Sequence, residues 1–284
     1  MIGIEPVESI AKYVLYSGYL QENRPLSLML VAASGEGKSD CLLEFKSNSN
    51  AFVLNDLTRY GLWDKFREIA AKNSFVSHCI IPDFSQVLMQ NPFYTGSICS
   101  TIMSLSEEGT DSIRTKNLRY DLPNTRLGFL TSMAKDDFEV KQKDARSVLV
   151  KTGFLSRFLV FSYRYTKETA VRVAQAIADG KEPEPIHLNL PVSKVAVRVQ
   201  PEQVLAFFPG ATEEDARKGL SLDWADEFLR KGQIDLNLVP RRIKQYRTLL
   251  KSIALSRERR EVTDDDVKQL RRMQAWLNLK FNPL

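Results

Sequence analysis

The stretch Val31-Ala32-Ala33-Ser34-Gly35-Glu36-Gly37-Lys38-Ser39 decides the fold. It follows an apolar run at residues 26–31, and a helix-like segment at residues 41–45 comes after it. A buried strand, a glycine-rich turn and the start of a helix, in that order, form a cradle for phosphate groups, because the backbone N–H groups of the turn point at the anion. The sequence therefore predicts an α/β protein that binds a nucleotide at this turn.

The turn, called the phosphate loop below, gives each residue an expected place. It consists of Ala33, Ser34, Gly35, Glu36, Gly37, Lys38 and Ser39. Lys38 is expected to reach the β- and γ-phosphates of ATP, and the Ser39 hydroxyl to ligate Mg²⁺. The usual pattern is G-x-x-x-x-G-K-[ST], and Ala32 stands here in place of the first glycine. The alternative interpretation is a surface turn with an incidental lysine.

The composition is that of an ordinary globular protein. The chain has 284 residues, of which 43% are hydrophobic and 26% charged, enough for a large core in a main domain with a smaller one beside it. The sequence has no apolar run near the ~18 residues of a membrane span, so no membrane partner is expected. Cys41, Cys79 and Cys99 lack metal-ligand spacing and are interpreted as reduced thiols of a cytoplasmic protein. The net charge of +5 mildly favours a polyanionic partner.

Two carboxylates follow short apolar runs. Asp56 comes after the run at residues 51–54, and Asp83 after the run at residues 77–81. In a parallel sheet, ligands bind at the carboxyl ends of the strands. Asp83 is therefore expected beside Lys38 and Ser39, where it would hold the Mg²⁺ shell through water. The alternative is that Asp83 caps the next helix.

A basic hairpin is predicted after Gly109, with strands at residues 112–118 and 126–131. Basic side chains around Tyr120 suit contact with a nucleic-acid backbone, and the candidates for DNA binding are Arg114, Lys116 and Arg119. The alternative is a solvated edge strand whose charges prevent aggregation.

The next core strand, at residues 126–132, ends in hydroxyls, and Thr131 there is a candidate for orienting the water that attacks a γ-phosphate. Residues 135–144 are interpreted as a flexible loop. Arg157 then stands directly before the last apolar strand, at residues 158–161.

The composition changes after Tyr165, and three regions follow from that change. They are a core at residues 1–165, a connecting region at 166–234 and a helical lid at 235–284. Helices are predicted at 166–180, 223–231, 241–256 and 263–279, and a strand at 195–199. Thr263-Asp264-Asp265-Asp266 is a strong helix N-terminus with acidic residues in its first turn.

This order of parts resembles an AAA+ ATPase, and within that superfamily it is most similar to the ATPase core of MCM-type replicative helicases. The segment 108–132 resembles the family's pore hairpin, with Lys116 close to its tip lysine. Phe154-Leu155-Ser156-Arg157-Phe158 matches the L-L-S-R-F pattern, whose arginine reaches toward a neighbour's ATP. Pro240-Arg241-Arg242-Ile243 matches the point where a sensor arginine opens a lid helix.

The resemblance implies an AAA+ parallel-sheet P-loop core with an inserted β-hairpin and a C-terminal helical lid. It also implies a homo-oligomer, a hexameric ring, with ATP and Mg²⁺ between neighbours and DNA as the partner. Asn55-Asp56-Leu57-Thr58 and Asp83-Phe84-Ser85 also resemble motifs of P-loop ATPases carried by phages and integrative elements. We therefore expect a role in the DNA replication of a mobile element or virus, together with a partner replication protein.

The chain departs from the AAA+ pattern at one position. Phe84 stands where these enzymes have the glutamate that polarises the attacking water, and loss of a general base typically costs orders of magnitude in rate. Asp56 is a candidate stand-in. Two functions stay open: a helicase-like DNA motor, or a slow or non-hydrolysing ATP-dependent assembly switch such as a helicase loader, a replication accessory or a transposition regulator. A small-molecule kinase would explain neither the basic hairpin nor the lid.

Overall fold

The computed structural model describes residues 5–55, 58–71, 75–114, 119–139, 153–181, 183–208, 239–274 and 276–277. Asp56, Lys116 and the helix predicted at residues 223–231 lie outside these ranges. No helix within them is long and apolar enough to cross a membrane.

A parallel sheet forms the centre of the molecule. The strands are β1 (Ser27–Ala32), β2 (Ala51–Val53), β3 (His78–Ile81), β4 (Thr110–Arg114), β5 (Arg119–Thr125), β6 (Gly128–Ala134) and β7 (Phe158–Ser162). Five of them pair in the order β2-β3-β6-β1-β7, and all of these pairs are parallel. The prediction of an α/β fold with a parallel P-loop core is confirmed.

Helices cover the sheet and extend the chain beyond it. They are α1 (Glu5–Ser17), α2 (Lys38–Leu43), α3 (Arg59–Ala71), α4 (Ser85–Leu88), α5 (Pro92–Glu107), α6 (Lys135–Glu139), α7 (Lys167–Ala178), α8 (Pro201–Leu205), α9 (Val239–Leu255) and α10 (Asp264–Gln274). A 3₁₀ turn, Leu155–Arg157, leads into β7.

The central strand β1 is buried on both faces, which is why its sequence is continuously apolar rather than alternating. Leu28 and Leu30 belong to the cluster that contains α1, α2 and α9. Met29 and Val31 belong to the cluster on the other face, with α5. The sheet is thus a middle layer with both faces covered. The two edges where its strands begin and end, at their amino and carboxyl ends, carry the candidate site residues described below.

The basic hairpin exists, but its second strand was wrongly bounded. β4 pairs with β5 in antiparallel register, so the partner strand is Arg119–Thr125. Residues 128–134 instead form β6, because their apolar side chains are buried between β1 and β3.

Two other sequence expectations were wrong. Residues 135–139 of the predicted loop form the helix α6, whose first turn carries the acidic side chains favoured there. Residues 195–199 make isolated bridges at Val195 and Arg198 rather than a strand.

The C-terminal helices pack back on the beginning of the chain. The helix α9 lies against α1, and the extended segment 183–199 crosses the same face, where the Ile186 N–H donates to the Glu44 carbonyl and the Val195 N–H to the Tyr19 carbonyl. Asp266, fully buried in α10, accepts hydrogen bonds from Arg257 and Arg259. The start of α9 is tied to the sheet by Arg242, which donates to the Phe158 carbonyl, and by Gln245, which donates to the Ser156 carbonyl. These bonds fix the position of Arg241.

Replacing Gly128 with alanine is expected to destabilise the protein by about 3 kcal/mol. A Cβ atom there would overlap the Leu26 carbonyl oxygen and the ring of the buried His78. Gly96→Ala is the matched control, because a Cβ at this helical position meets nothing within 4 Å. The control is expected to stabilise the protein by up to about 1 kcal/mol in urea unfolding. Equal unfolding midpoints for the two variants would contradict the close approach at Gly128.

Candidate nucleotide-binding site

The phosphate loop joins β1 to α2 through two glycines in left-handed backbone conformation. Gly35 has φ 81° and Gly37, which precedes α2, has φ 65°. Other residues adopt this conformation only with strain, so the loop depends on glycine at both positions.

Glu36 ties the loop to the end of β7. Its carboxylate accepts hydrogen bonds from the Ala33 N–H at 3.0 Å and from the Tyr165 N–H at 2.9 Å. The Tyr163 hydroxyl donates to the Glu36 carbonyl at 2.8 Å. The loop is therefore held in shape by the Tyr163 side chain and the Tyr165 backbone, neither of which the sequence analysis had assigned to the site.

Lys38 is nearly buried, at 8% exposure, and its Nζ donates to the Ala33 carbonyl at 2.7 Å. Burial lowers the pKa of Lys38, and the nearby carboxylates of Glu36, Asp83 and Asp137 oppose that shift. A cation in this position fits an incoming phosphate, because a phosphate would repay the desolvation that Lys38 already bears.

Hydroxyl and carboxylate oxygens meet beside Lys38. The hydroxyls of Ser39 and Ser132 both donate to the Pro82 carbonyl, at 2.9 and 2.6 Å, and their oxygens lie 3.4 Å apart. Asp83 accepts the Ser85 N–H at 2.9 Å. Asp83 thus accepts the first N–H of α4, although Phe84 is the N-cap residue, and it also interacts electrostatically with Lys38.

These oxygens fit a magnesium ion that takes most of its ligands from phosphate and water. No group of three His, Cys, Asp or Glu side chains in the described ranges could hold a metal by itself. The assignment of Ser39 and Asp83 to the ion stays a prediction.

The hydroxyl that reaches Ser39 belongs to Ser132 and not to Thr131. Thr131 is fully buried, and its hydroxyl has no hydrogen-bond partner among the described residues. Successive strand residues point to opposite faces of a sheet, so one position decides which hydroxyl meets the loop. The sequence indicated hydroxyls at the end of this strand and favoured Thr131, whereas the hydroxyl beside Ser39 is that of Ser132.

Phe84 packs away from the loop. It is fully buried, and its ring stacks on Phe154 at 5.3 Å between centroids. The position where the AAA+ resemblance would place a glutamate is therefore part of the core. Asp137, on α6, supplies a carboxylate near Lys38 that the sequence analysis had assigned to a flexible loop.

Arg157 lies at the opposite edge of the sheet from the phosphate loop. It directly precedes β7, whose Phe158 pairs with Ser27 at the start of β1. Lys38 follows the other end of β1, and a strand of this length spans about 20 Å. Arg157 is therefore too far away to contact a phosphate held by Lys38 of the same chain.

Arg241 joins Arg157 at that edge, through Glu107. The two oxygens of the Glu107 carboxylate lie 3.0 Å from Nη2 of Arg157 and 2.8 Å from Nη2 of Arg241. Arg157 also donates to the Gly153 carbonyl at 2.7 Å, and Arg241 to the Ser156 hydroxyl. The two arginines predicted from separate motifs thus form one cluster, with Glu107 as a member that the sequence analysis missed.

The hairpin begins at this same edge, three residues after Glu107. The Leu127 N–H donates to the Leu105 carbonyl and closes its base. The backbone register pairs Arg114 with Arg119. Their role in DNA binding stays a prediction, as does that of Lys116.

Comparison with known proteins gives matches among solved structures, but none among family models or curated proteins. Among solved structures, the chain is similar to a full-length MCM homolog from Methanopyrus kandleri, with a TM-score of 0.53 and 14% sequence identity. The match covers 98% of this chain and 56% of that chain, so this chain spans little more than half of the length of that protein. At this identity the likeness concerns the fold alone, which this chain shares with that MCM homolog.

Proposed function

We propose that this protein binds MgATP between two copies of itself and acts as a helicase-like AAA+ DNA motor. The observation that carries the proposal is the placement of the phosphate loop and the Arg157–Arg241 cluster at opposite edges of one sheet. A complete phosphate site then needs the loop of one subunit and the arginines of the next.

Each group at such an interface has a definite task. Lys38 binds the β- and γ-phosphates, and Ser39 and Asp83 hold the magnesium shell. Arg157 and Arg241 of the neighbouring subunit offset the negative charge that develops on the γ-phosphate, as arginine fingers do in other NTPases. Ser132, bonded to the same Pro82 carbonyl as Ser39, positions the loop hydroxyl.

Contacts between two different edges are head-to-tail, and such contacts close into a ring when the rotation permits. We take the hexamer as the ring size, by analogy with the helicases that the sequence resembles. In such a ring the hairpins would contact DNA. The biological setting that we infer is the replication of a mobile element or virus, with a partner replication protein.

The second candidate function is an ATP-dependent assembly switch with little turnover. The observation that favours it is Phe84, which fills the core where a water-polarising glutamate would stand. Asp137 favours the motor instead, because its carboxylate lies close enough to interact with Lys38 and could polarise the attacking water in place of the missing glutamate.

ATP turnover measured without DNA, with single-stranded DNA and with duplex DNA distinguishes the two functions, with assembly followed in parallel by light scattering. Turnover stimulated by DNA supports the motor. Assembly driven by ATP without turnover supports the switch. The absence of both turnover and assembly would contradict both functions.

Replacing Arg114 and Lys116 together with alanine is expected to weaken DNA binding and to lower the slope of log K against log salt by about 2, since two phosphate contacts are lost. The control is the pair Lys167→Ala and Arg172→Ala, two exposed cations on α7 with the same total charge change. Binding is measured by fluorescence anisotropy over a salt series. A slope equal to that of the control returns the hairpin to the role of a solvated edge.

A further inference from the structure

A cavity of about 550 Å³ lies at the amino end of β1, beside the start of α9. It is on the sheet edge opposite the phosphate loop, and Arg157 and Arg241 form part of its wall. Its neutral polar lining includes Asn23, Gln245 and Thr248.

The charge of the cavity wall is strongly positive. Five cationic side chains face it, namely Arg24, Arg157, Arg241, Lys244 and Arg247, against the two acidic side chains Glu22 and Glu107. Burial lowers the pKa of Arg241, and so does repulsion from Arg157 and Arg24, whereas Glu107 opposes the shift. Three guanidinium groups therefore share the field of one carboxylate.

Glu107 occupies the donors that a phosphate would need. It takes Nη2 of both arginines, while their Nη1 atoms are engaged by Gly153 and Ser156. The side chain of Arg157 is only 15% exposed, and its Nε is buried without a partner among the described residues. In the free subunit the arginine cluster is thus bonded to the protein itself.

We propose that this cavity binds a polyphosphate group and that the Glu107 carboxylate holds its place until the phosphate displaces it. Guanidinium groups bind phosphate in the same bidentate manner as carboxylate, but a polyphosphate brings several negative charges where Glu107 brings one. The excess of cations over acids in the wall favours the more highly charged occupant. The proposal deepens the proposed function and rests on it in one respect, because a neighbour's nucleotide is the source of phosphate in an assembly.

The test is a calorimetric titration of inorganic tripolyphosphate into the chain carrying Lys38→Ala, which removes the phosphate loop as a competing site. Adding Glu107→Gln is expected to tighten tripolyphosphate binding about tenfold. The N–H donors of Arg157 and Arg241 then no longer bind a charged carboxylate and become available to the phosphate. Glu108→Gln is the matched control, an exposed acid at the same helix end, and is expected to leave the affinity unchanged. Adding Arg241→Ala to the Glu107→Gln protein should cancel the gain.

Equal or weaker binding by the Glu107→Gln protein would overturn the displacement, and so would a gain that survives Arg241→Ala. Thermal melting of every variant verifies that the fold is intact; if Glu107→Gln fails to fold, Glu107→Asp, which is too short to bridge both arginines, gives the same comparison. Failure of the proposed function would show elsewhere, as lack of ATP binding by the protein with Lys38 intact.

The source of the phosphate is read from the protein with an intact Lys38. If a neighbour's nucleotide fills the cavity, Glu107→Gln lowers the protein concentration needed for ATP-driven assembly. Tighter tripolyphosphate binding with unchanged assembly assigns the cavity to free polyphosphate.

Discussion

Lys38→Ala is expected to weaken the affinity for ATP about 100-fold or more. Lys38 is a nearly buried cation whose ammonium is held at the loop by the Ala33 carbonyl. Loss of one partner from a buried charge pair costs roughly 3 kcal/mol, which corresponds to that factor. Isothermal titration with MgATP measures the change.

Lys46→Ala is the control for the loss of one positive charge near the loop. Lys46 lies just beyond α2 and is exposed, so its removal is expected to leave the affinity unchanged. Thermal melting separates lost binding from lost structure. Unchanged ATP affinity in a folded Lys38→Ala protein would return the stretch at residues 31–39 to an incidental surface turn.

Arg157→Ala is expected to lower ATP turnover about 1,000-fold, the lower limit for removal of an arginine finger. The affinity of the free subunit's phosphate loop for ATP, measured below the concentration at which the protein assembles, should change little, because Arg157 stands at the far edge of its own sheet. Within the part of the chain that the structure describes, the Glu107 carboxylate then keeps its ion pair with Arg241 alone. Steady-state turnover and equilibrium binding, measured on the same preparation, separate the two effects.

Arg272→Ala, an exposed arginine on α10, controls for the charge change and should leave turnover unchanged. A fall in the free subunit's ATP affinity equal to the fall in turnover would contradict the separation of Arg157 from the loop of its own chain. If the protein acts as a switch, the measurement is ATP-driven assembly, and Arg157→Ala should weaken that assembly.

The fold could be predicted from the sequence because a parallel sheet buried on both faces leaves continuous apolar runs. The runs at residues 26–31, 51–54 and 77–81 all correspond to observed strands. The hairpin's second strand was misplaced because residues 119–125 and 128–134 both resemble strands locally. Only the pairing of β6 with β1 and β3 decides between them.

The site could be predicted where its residues share one local pattern, as in the phosphate loop. The choice between Thr131 and Ser132 could not be made from the sequence, because it depends on which sheet face meets Ser39. Glu107 was missed for another reason: it meets Arg157 and Arg241 only after the chain has crossed the sheet, and no spacing in the sequence encodes that meeting.

Phe84 shows how a sequence departure gains meaning from packing. The sequence indicated only that a carboxylate was absent from the expected position. The Phe84 ring stacks on Phe154, so this side chain points into the core. A substitution of Phe84 would therefore disturb core packing rather than the groups around the nucleotide. The search for a general base therefore moves to carboxylates near Lys38, of which Asp137 is one.

The most direct test of the account is ATP turnover by a mixture of the Lys38→Ala and Arg157→Ala proteins. Each protein alone lacks one half of every site and should be nearly inactive. A mixed assembly pairs an intact phosphate loop from one variant with an intact arginine from the other, so turnover should return on mixing. A mixture as inactive as its two components would contradict a nucleotide site shared between neighbouring subunits.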